Sequence, residues 1–199
     1  MTTHLSRLYD SNAEAQRVAT ELETAGIPSS DVSVIANGED ASASVPDAAD
    51  GATAGAGVGA AVGGGVGLLA GLGVMAIPGV GPIVAAGWAA ATLTGMLAGA
   101  VTGAATGGIV GALTDVGVDE RDAHVYAESM RRGGSIVLVK TEDAHRALAE
   151  SVLDRHASVA VSDRRSAYEG EGWSGFDEKR GPYSANDGGP TRQPPVGML

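Results

Sequence analysis

Glu120, His124 and Glu128 stand four residues apart, a spacing that stacks two carboxylates and an imidazole on one face of a helix, the donor set of a metal site or an acid–base pair. A solvated polar helix face has the same pattern. His4, His145 and His156 form no second cluster that would close a coordination sphere. Gly55-Ala-Gly57-Val-Gly59-Ala60 has the outline of a dinucleotide loop, but such a loop follows a strand and needs an acidic residue about 20 positions later. Asp47 to Gly51 does not read as a strand, and no acid follows until Asp115. No glycine run ends in Gly-Lys-Ser or Gly-Lys-Thr, no Gly-x-Ser-x-Gly elbow occurs, and the chain has no cysteine to serve as nucleophile, metal ligand or disulfide. The residues therefore point to a protein that is not an enzyme, with no catalytic residue, no cofactor and no metal, and that works by association.

The strongest regularity is made of glycine. Between Asp50 and Asp115 there is no charged residue, and two blocks place glycines four apart: Gly55, Gly59, Gly63, Gly67 and Gly71, then Gly95, Gly99, Gly103, Gly107 and Gly111. Four residues is close to one helical turn, so each series is a stripe without side chains along which a second helix can approach to backbone contact. Ile77-Pro-Gly-Val-Gly-Pro82 lies between the blocks, and Pro78, Gly79, Gly81 and Pro82 suit a chain reversal. The pattern predicts a glycine-zipper helical hairpin over residues 51–117. Each glycine costs about 1 kcal/mol in a helix relative to alanine, so lipid or repeated helix packing must stabilise it. Ala52 to Gly73 and Pro82 to Leu113 are each long enough to cross a core of about 30 Å. The flanks, however, are acidic and lack the basic residues that anchor a span. Membrane insertion, homo-oligomeric assembly in water and a surface insert are the three readings of the block.

The elements around it obey an α/β grammar. His4 to Tyr9 reads as a strand, and Ser11-Asn-Ala-Glu14 offers a capping box for a helix with Ala15, Val18, Ala19 and Leu22 on one face. Gly26 and Pro28 end that helix, and Val32 to Ala36 is a second strand. Beyond the insert, Asp119 to Arg132 reads as a helix stopped by Gly133-Gly134, and Ile136-Val-Leu-Val139 as a buried strand. Thr141 would cap a helix carrying Ala144, Ala147, Leu148 and Val152, and Val159 to Val161 would form a last strand. Two strand–helix–strand units suggest an α+β, ferredoxin-like split βαβ domain with helices on one face. A flavodoxin-like parallel sheet would need more such units. The organisation expected is 1–38 as the first half of this domain, 39–50 as an acidic linker, 51–117 as the hairpin insert, 118–166 as the second half, and 167–199 as a disordered tail. Trp173 and Phe176 are unusual in such a tail, and either dock on a partner as a short motif or fold back onto the domain.

Composition bounds the partners. The 199 residues carry a net charge of -11, and the 13 Lys and Arg form no stripe interleaved with aromatics, which disfavours nucleic acid. With 31 Gly and a single Phe, the chain is poor in large core-filling side chains. Met1-Thr-Thr-His-Leu-Ser-Arg7 does not read as a secretory signal.

Val118-Asp-Glu-Arg-Asp-Ala-His-Val-Tyr126 through Arg131-Arg-Gly-Gly-Ser-Ile-Val-Leu-Val139 resembles the YflT-type general stress proteins of bacteria. Ile77 to Pro82 and Gly172-Trp-Ser-Gly-Phe-Asp177 are similar to what longer, glycine-rich members carry. The resemblance implies induction under stress and carries over no active-site residues. It leads to the expectation of a bacterial stress-response accessory protein, cytoplasmic or on the cytoplasmic side of the inner membrane, whose hairpin associates with membrane lipid or with further copies. A soluble scaffold and a small-ligand sensor are the alternatives.

Overall fold

Four consecutive apolar residues, Ile136 to Val139, suit only a strand covered on both faces, since alternate side chains point to opposite sides. The computed structural model, which describes residues 2–37, 73–77, 79–90, 108–181 and 183, places them in this way. Strands β1 (Thr2–Tyr9), β2 (Val32–Asn37), β3 (Gly73–Ile77), β4 (Gly81–Ala86) and β5 (Ser135–Glu142) form one sheet in the order β1-β5-β2-β4-β3. Every neighbouring pair is antiparallel. Helices α1 (Asn12–Thr24), α2 (Gly108–Asp115), α3 (Glu120–Arg131), α4 (Asp143–Arg155) and α5 (Val161–Gly170) complete an α+β fold.

β5 lies between β1 and β2, and its two faces build two cores. Leu5, Tyr9, Val32, Val34, Val137 and Val139 pack against α1 and α4 through Val18, Leu22, Val152 and Leu153. On the other face Leu8, Ile35, Ile83, Ile136 and Leu138 meet α2 and α3 through Ile109, Leu113, Tyr126 and Met130. The helices thus cover both faces, not one as expected, because β2 and β5 are apolar at successive positions and need cover on each side.

The region read as a helical hairpin departs most. Gly73 to Ile77 and Gly81 to Ala86 are strands, so the expected reversal at Pro78, Gly79, Gly81 and Pro82 joins two strands and not two helices, with Ile77 paired to Gly81. Val74, Ile77, Ile83 and Val84 favour this: β-branched side chains fit a pleated surface better than a helix, and β4 takes up the hydrogen-bonding edge of β2. The stripe positions Gly55, Gly59, Gly63, Gly67, Gly71, Gly95, Gly99, Gly103 and Gly107 lie outside the described residues, as does Pro78. Gly111 lies in α2, with no described atom within 4 Å of where a Cβ would stand. Among the described residues no helix is long and apolar enough to cross a membrane.

Three further expectations change. Val159 makes only an isolated bridge to Leu8, and Val161 opens α5 in place of a last strand. Thr141 belongs to β5, and α4 begins without a side-chain cap. The chain from Ala167 is not a disordered tail as far as it is described, since α5 runs to Gly170, Tyr168 is fully buried and Trp173 is 8 % exposed.

The capping box forms by half. Ser11 Oγ accepts from the Glu14 N–H at 3.2 Å, but the Glu14 carboxylate turns to His156, 2.9 Å from Nδ1. His156 Nε2 lies 2.7 Å from Glu21, which Arg155 also reaches at 2.5 Å. An ionised carboxylate only accepts, so both ring nitrogens donate and the ring is an imidazolium bridging α1 and α4. Hydrogen bonds to Glu21 and then Glu14 raise the His156 pKa above its ordinary value, outweighing partial burial. A raised folded-state pKa means the bridge stabilises fully below the unfolded value of about 6.5 and is lost as pH rises through the folded value. The thermal midpoint should therefore fall across that window in the wild type and stay level in His156→Gln; a wild-type profile as level as the variant's would contradict the bridge.

Candidate functional site

The last turn of α3 places Glu128, Arg131 and Arg132 at i, i+3 and i+4, so both guanidinium groups converge on one carboxylate. Arg131 donates through Nε and Nη2 at 3.0 and 2.6 Å, and Arg132 through Nε at 2.7 Å. All three residues are buried, Glu128 to 1 % exposure. Burial acts to raise the Glu128 pKa, and the two guanidinium groups override it, holding the carboxyl below the usual range.

This ionic knot receives the end of the described chain. Arg132 Nη1 donates to Glu171 at 2.6 Å, and its guanidinium lies 4.2 Å from the Tyr168 ring centre. Tyr168 shares a hydrogen bond of 3.0 Å with Ser129, meets Trp173 edge-on at 5.7 Å, and has its hydroxyl pKa pushed up to about 12 by burial. Arg164, fully buried on α5, pairs with Asp10 at the end of β1. Tyr183 lies over Arg131 at 5.3 Å. Each guanidinium in this group faces a carboxylate or an aromatic ring, so the junction ties α3 to α5, to the end of β1 and to the segment after α5.

The trio with ligand-like spacing, against which the sequence argued, does not converge on one site: its His124 and Glu128 have separate partners. Glu128 is committed to the two arginines, and His124 Nδ1 accepts the Phe176 N–H at 3.2 Å. Among the described residues no group of three or more His, Asp or Glu could hold a metal ion. Trp173 and Phe176, the aromatics singled out in the tail, fold back onto the domain: Trp173 packs with Val125 and Tyr168, and Phe176 against the α2–α3 core. Arg132 and Tyr168 carry no signal as site residues in the sequence, and Glu128 stands out there only beside Glu120 and His124. The spacing of Glu128 to Arg131 and Arg132 was visible, but partners contributed from 39 or more positions away were not.

The segment after Trp173 also touches the turn between β3 and β4 and the first residue of α2. Gly79 packs so closely on it that a Cβ would stand 2.6 Å from Glu178 Cα, and a Cβ on Gly108 would fall on the Glu178 carboxylate. At the other end of the sheet Gly73 pairs with Ala85, and the chain leaving β4 is held by the Ala89 N–H donating to Ser33 Oγ at 3.0 Å. Trp88 stacks at a tilt on His4, 5.3 Å between ring centres, and His4 Nδ1 lies 2.8 Å from the Val116 carbonyl oxygen. The described residues that flank residues 91–107, and Gly73 after residue 72, are thus held in the fold.

No curated protein and no solved structure matches the chain. Residues 84–166, from within β4 to within α5, match a family described as a protein of unknown function, DUF1269, a match that takes in α3 and β5 and leaves out β1, β2, β3 and the segment carrying Trp173 and Phe176.

Proposed function

We propose that this chain is a non-enzymatic self-associating protein in which the two uncharged glycine-rich stretches pair antiparallel and then pack against those of further copies. The observation that carries this reading is where the stretches are tied. The segment that holds the first, opening with the acidic residues of 39–50, follows Asn37, opposite Ile83 and near the Gly79 turn, and ends before Gly73, opposite Ala85. The second leaves after Ala90 at the Ser33 end and returns at Gly108, which shares Glu178 with Gly79. The described residues flanking the two segments therefore stand at the same two ends of the sheet in opposite order, an arrangement that would let the glycine stripes meet.

This supports assembly over a spanning hairpin. A spanning hairpin would hold its reversal across the bilayer from the rest of the protein, whereas β3 and β4 belong to the same sheet as β2. Membrane association without spanning is the second reading, favoured by the absence of charge from residue 51 to 114. The resemblance to YflT-type proteins supports placing this association in a general stress response, on a bacterial cytoplasmic scaffold with a split βαβ core.

Sedimentation velocity of the full chain tests the reading. The wild type should sediment as a discrete particle heavier than one chain, and Gly63→Leu with Gly103→Leu, which push the stripes apart, should shift it towards monomer with the same far-ultraviolet spectrum. A monomeric wild type that pellets with carbonate-washed vesicles would favour the membrane reading, and a monomer indifferent to vesicles would sink both.

A further inference from the structure

β1 lies at one side of the sheet, and its outer edge is open along most of its length. The Leu8 carbonyl accepts from the Val159 N–H at 2.8 Å, so the backbone groups of Leu8 point away from β5. Pairing directions alternate along an antiparallel strand, so those of Thr2, His4 and Ser6 point the same way as Leu8. Among the described residues, Val159 makes the one bridge on that edge. Exposed edges are ordinarily blunted by lysine, proline or a bulge. Thr2 to Ser6 contains neither residue, and β1 pairs with β5 in unbroken register.

The helix above this edge is bare on the same side. Asp143, Ala147, Ser151 and Asp154 form one stripe of α4. Its ends are fixed over β1, since the Thr3 hydroxyl donates to Asp143 at 3.4 Å and Arg7 pairs with Asp154 at 2.9 Å. Ala147 and Ser151, between those ends, are exposed, as are Ala144 and Leu148 beside them. Leu148, 38 % exposed, is the one exposed large apolar side chain among the described residues.

We infer that this side is a twofold interface to a second copy, in which the two β1 strands pair antiparallel about His4 and the two α4 helices pack side by side. With Leu8 engaged by Val159, the register that uses every remaining outward group sets His4 against the partner's His4 and Thr2 against the partner's Ser6. Each such pair exchanges both its hydrogen bonds, about six in all. Asp143 stands over Thr3 and Asp154 over Arg7, so Ala147 falls near the level of His4 and hence near the axis. α4 packs on both β1 and β5. With strands about 4.8 Å apart, a helix midway over those two lies about 10 Å from its partner's helix, a distance at which helices pack. Strand edge and helix stripe thus call for the same neighbour at the same spacing. The contact uses no residue of the glycine-rich stretches and goes beyond the self-association proposed above.

The full-length chain carrying Gly63→Leu and Gly103→Leu isolates this contact, and it should sediment as a dimer. In residue-resolved amide exchange, His4 and Ser6 should gain protection as concentration rises, while Leu5 and Arg7, whose groups point to β5, stay as they are. Adding Ala147→Glu sets like charges face to face near the axis and leaves the monomer's core untouched, so dimerisation should weaken about a hundredfold and the gain at His4 should vanish. Adding Ala147→Ser instead should leave the dimer in place. A monomer at every concentration overturns the interface, as does a dimer whose His4 and Ser6 amides stay unprotected or one that Ala147→Glu does not weaken. If the wild type and the double-leucine chain are the same dimer, the glycine-rich assembly falls and this interface stands; a larger wild-type particle beside a double-leucine dimer supports both.

Discussion

Glu128→Ala is expected to destabilise the fold by about 3–5 kcal/mol, because it leaves Arg131 and Arg132 buried without their shared carboxylate. Domains of this size hold roughly 5–15 kcal/mol in all, so a urea midpoint should drop steeply. The attraction within the knot is not the source of the loss; the uncompensated cations are. Adding Arg131→Met and Arg132→Met to the alanine variant should therefore recover much of the stability, even though every ion pair at Glu128 is gone. If Glu128→Ala costs no more than an exposed pair would, about 1 kcal/mol or less, the knot is solvated and the packing described is wrong. The acid limb has a definite sign. A carboxyl held below its ordinary pKa when folded stabilises above the unfolded value of about 4.3, and that contribution is lost as pH falls through the folded value.

Tyr168→Ala should cost about 3–5 kcal/mol, the usual loss for truncating a fully buried aromatic. The ring fills space between α3 and α5, takes the edge of Trp173 and lies under Arg132. Tyr168→Phe keeps those contacts and loses only the hydrogen bond to Ser129, so about 1 kcal/mol is expected. The gap between the two variants separates packing from hydrogen bonding. A disordered tail from residue 167 would make both substitutions neutral, so equilibrium unfolding of this pair decides between the two descriptions.

What was legible in the sequence was local. The α1 cap at Ser11, the apolar face Ala15, Val18, Ala19 and Leu22, the α3 bounds next to Gly133, and the β5 run all rest on interactions within a few residues of each other, and all of them appear. The same local grammar misled where two structures share one pattern. Glycines four apart extend through Gly71, yet Gly73 to Ile77 and Gly81 to Ala86 pair as strands, because an open edge on β2 can satisfy their backbone groups and an isolated glycine-rich helix gains nothing comparable. Tyr168 and Trp173 looked like residues of a tail because their neighbours are Gly, Ser and Glu; their burial depends on Val125 and Ser129, far off in sequence.

The sequence by itself determined an α+β chain without cysteine, two uncharged glycine-rich stretches, and the helices and strands whose periodicity is unbroken. Tertiary structure alone decided that β5 enters between β1 and β2, that helices cover both faces, that the Glu128 carboxylate takes two arginines while Arg132 also pairs with Glu171, and that the segment carrying Trp173 and Phe176 returns to Gly79 and Gly108. The reason is that local preferences act through neighbouring residues and are readable in order, whereas pairing an edge strand or compensating a buried charge depends on whichever distant group the fold brings within reach.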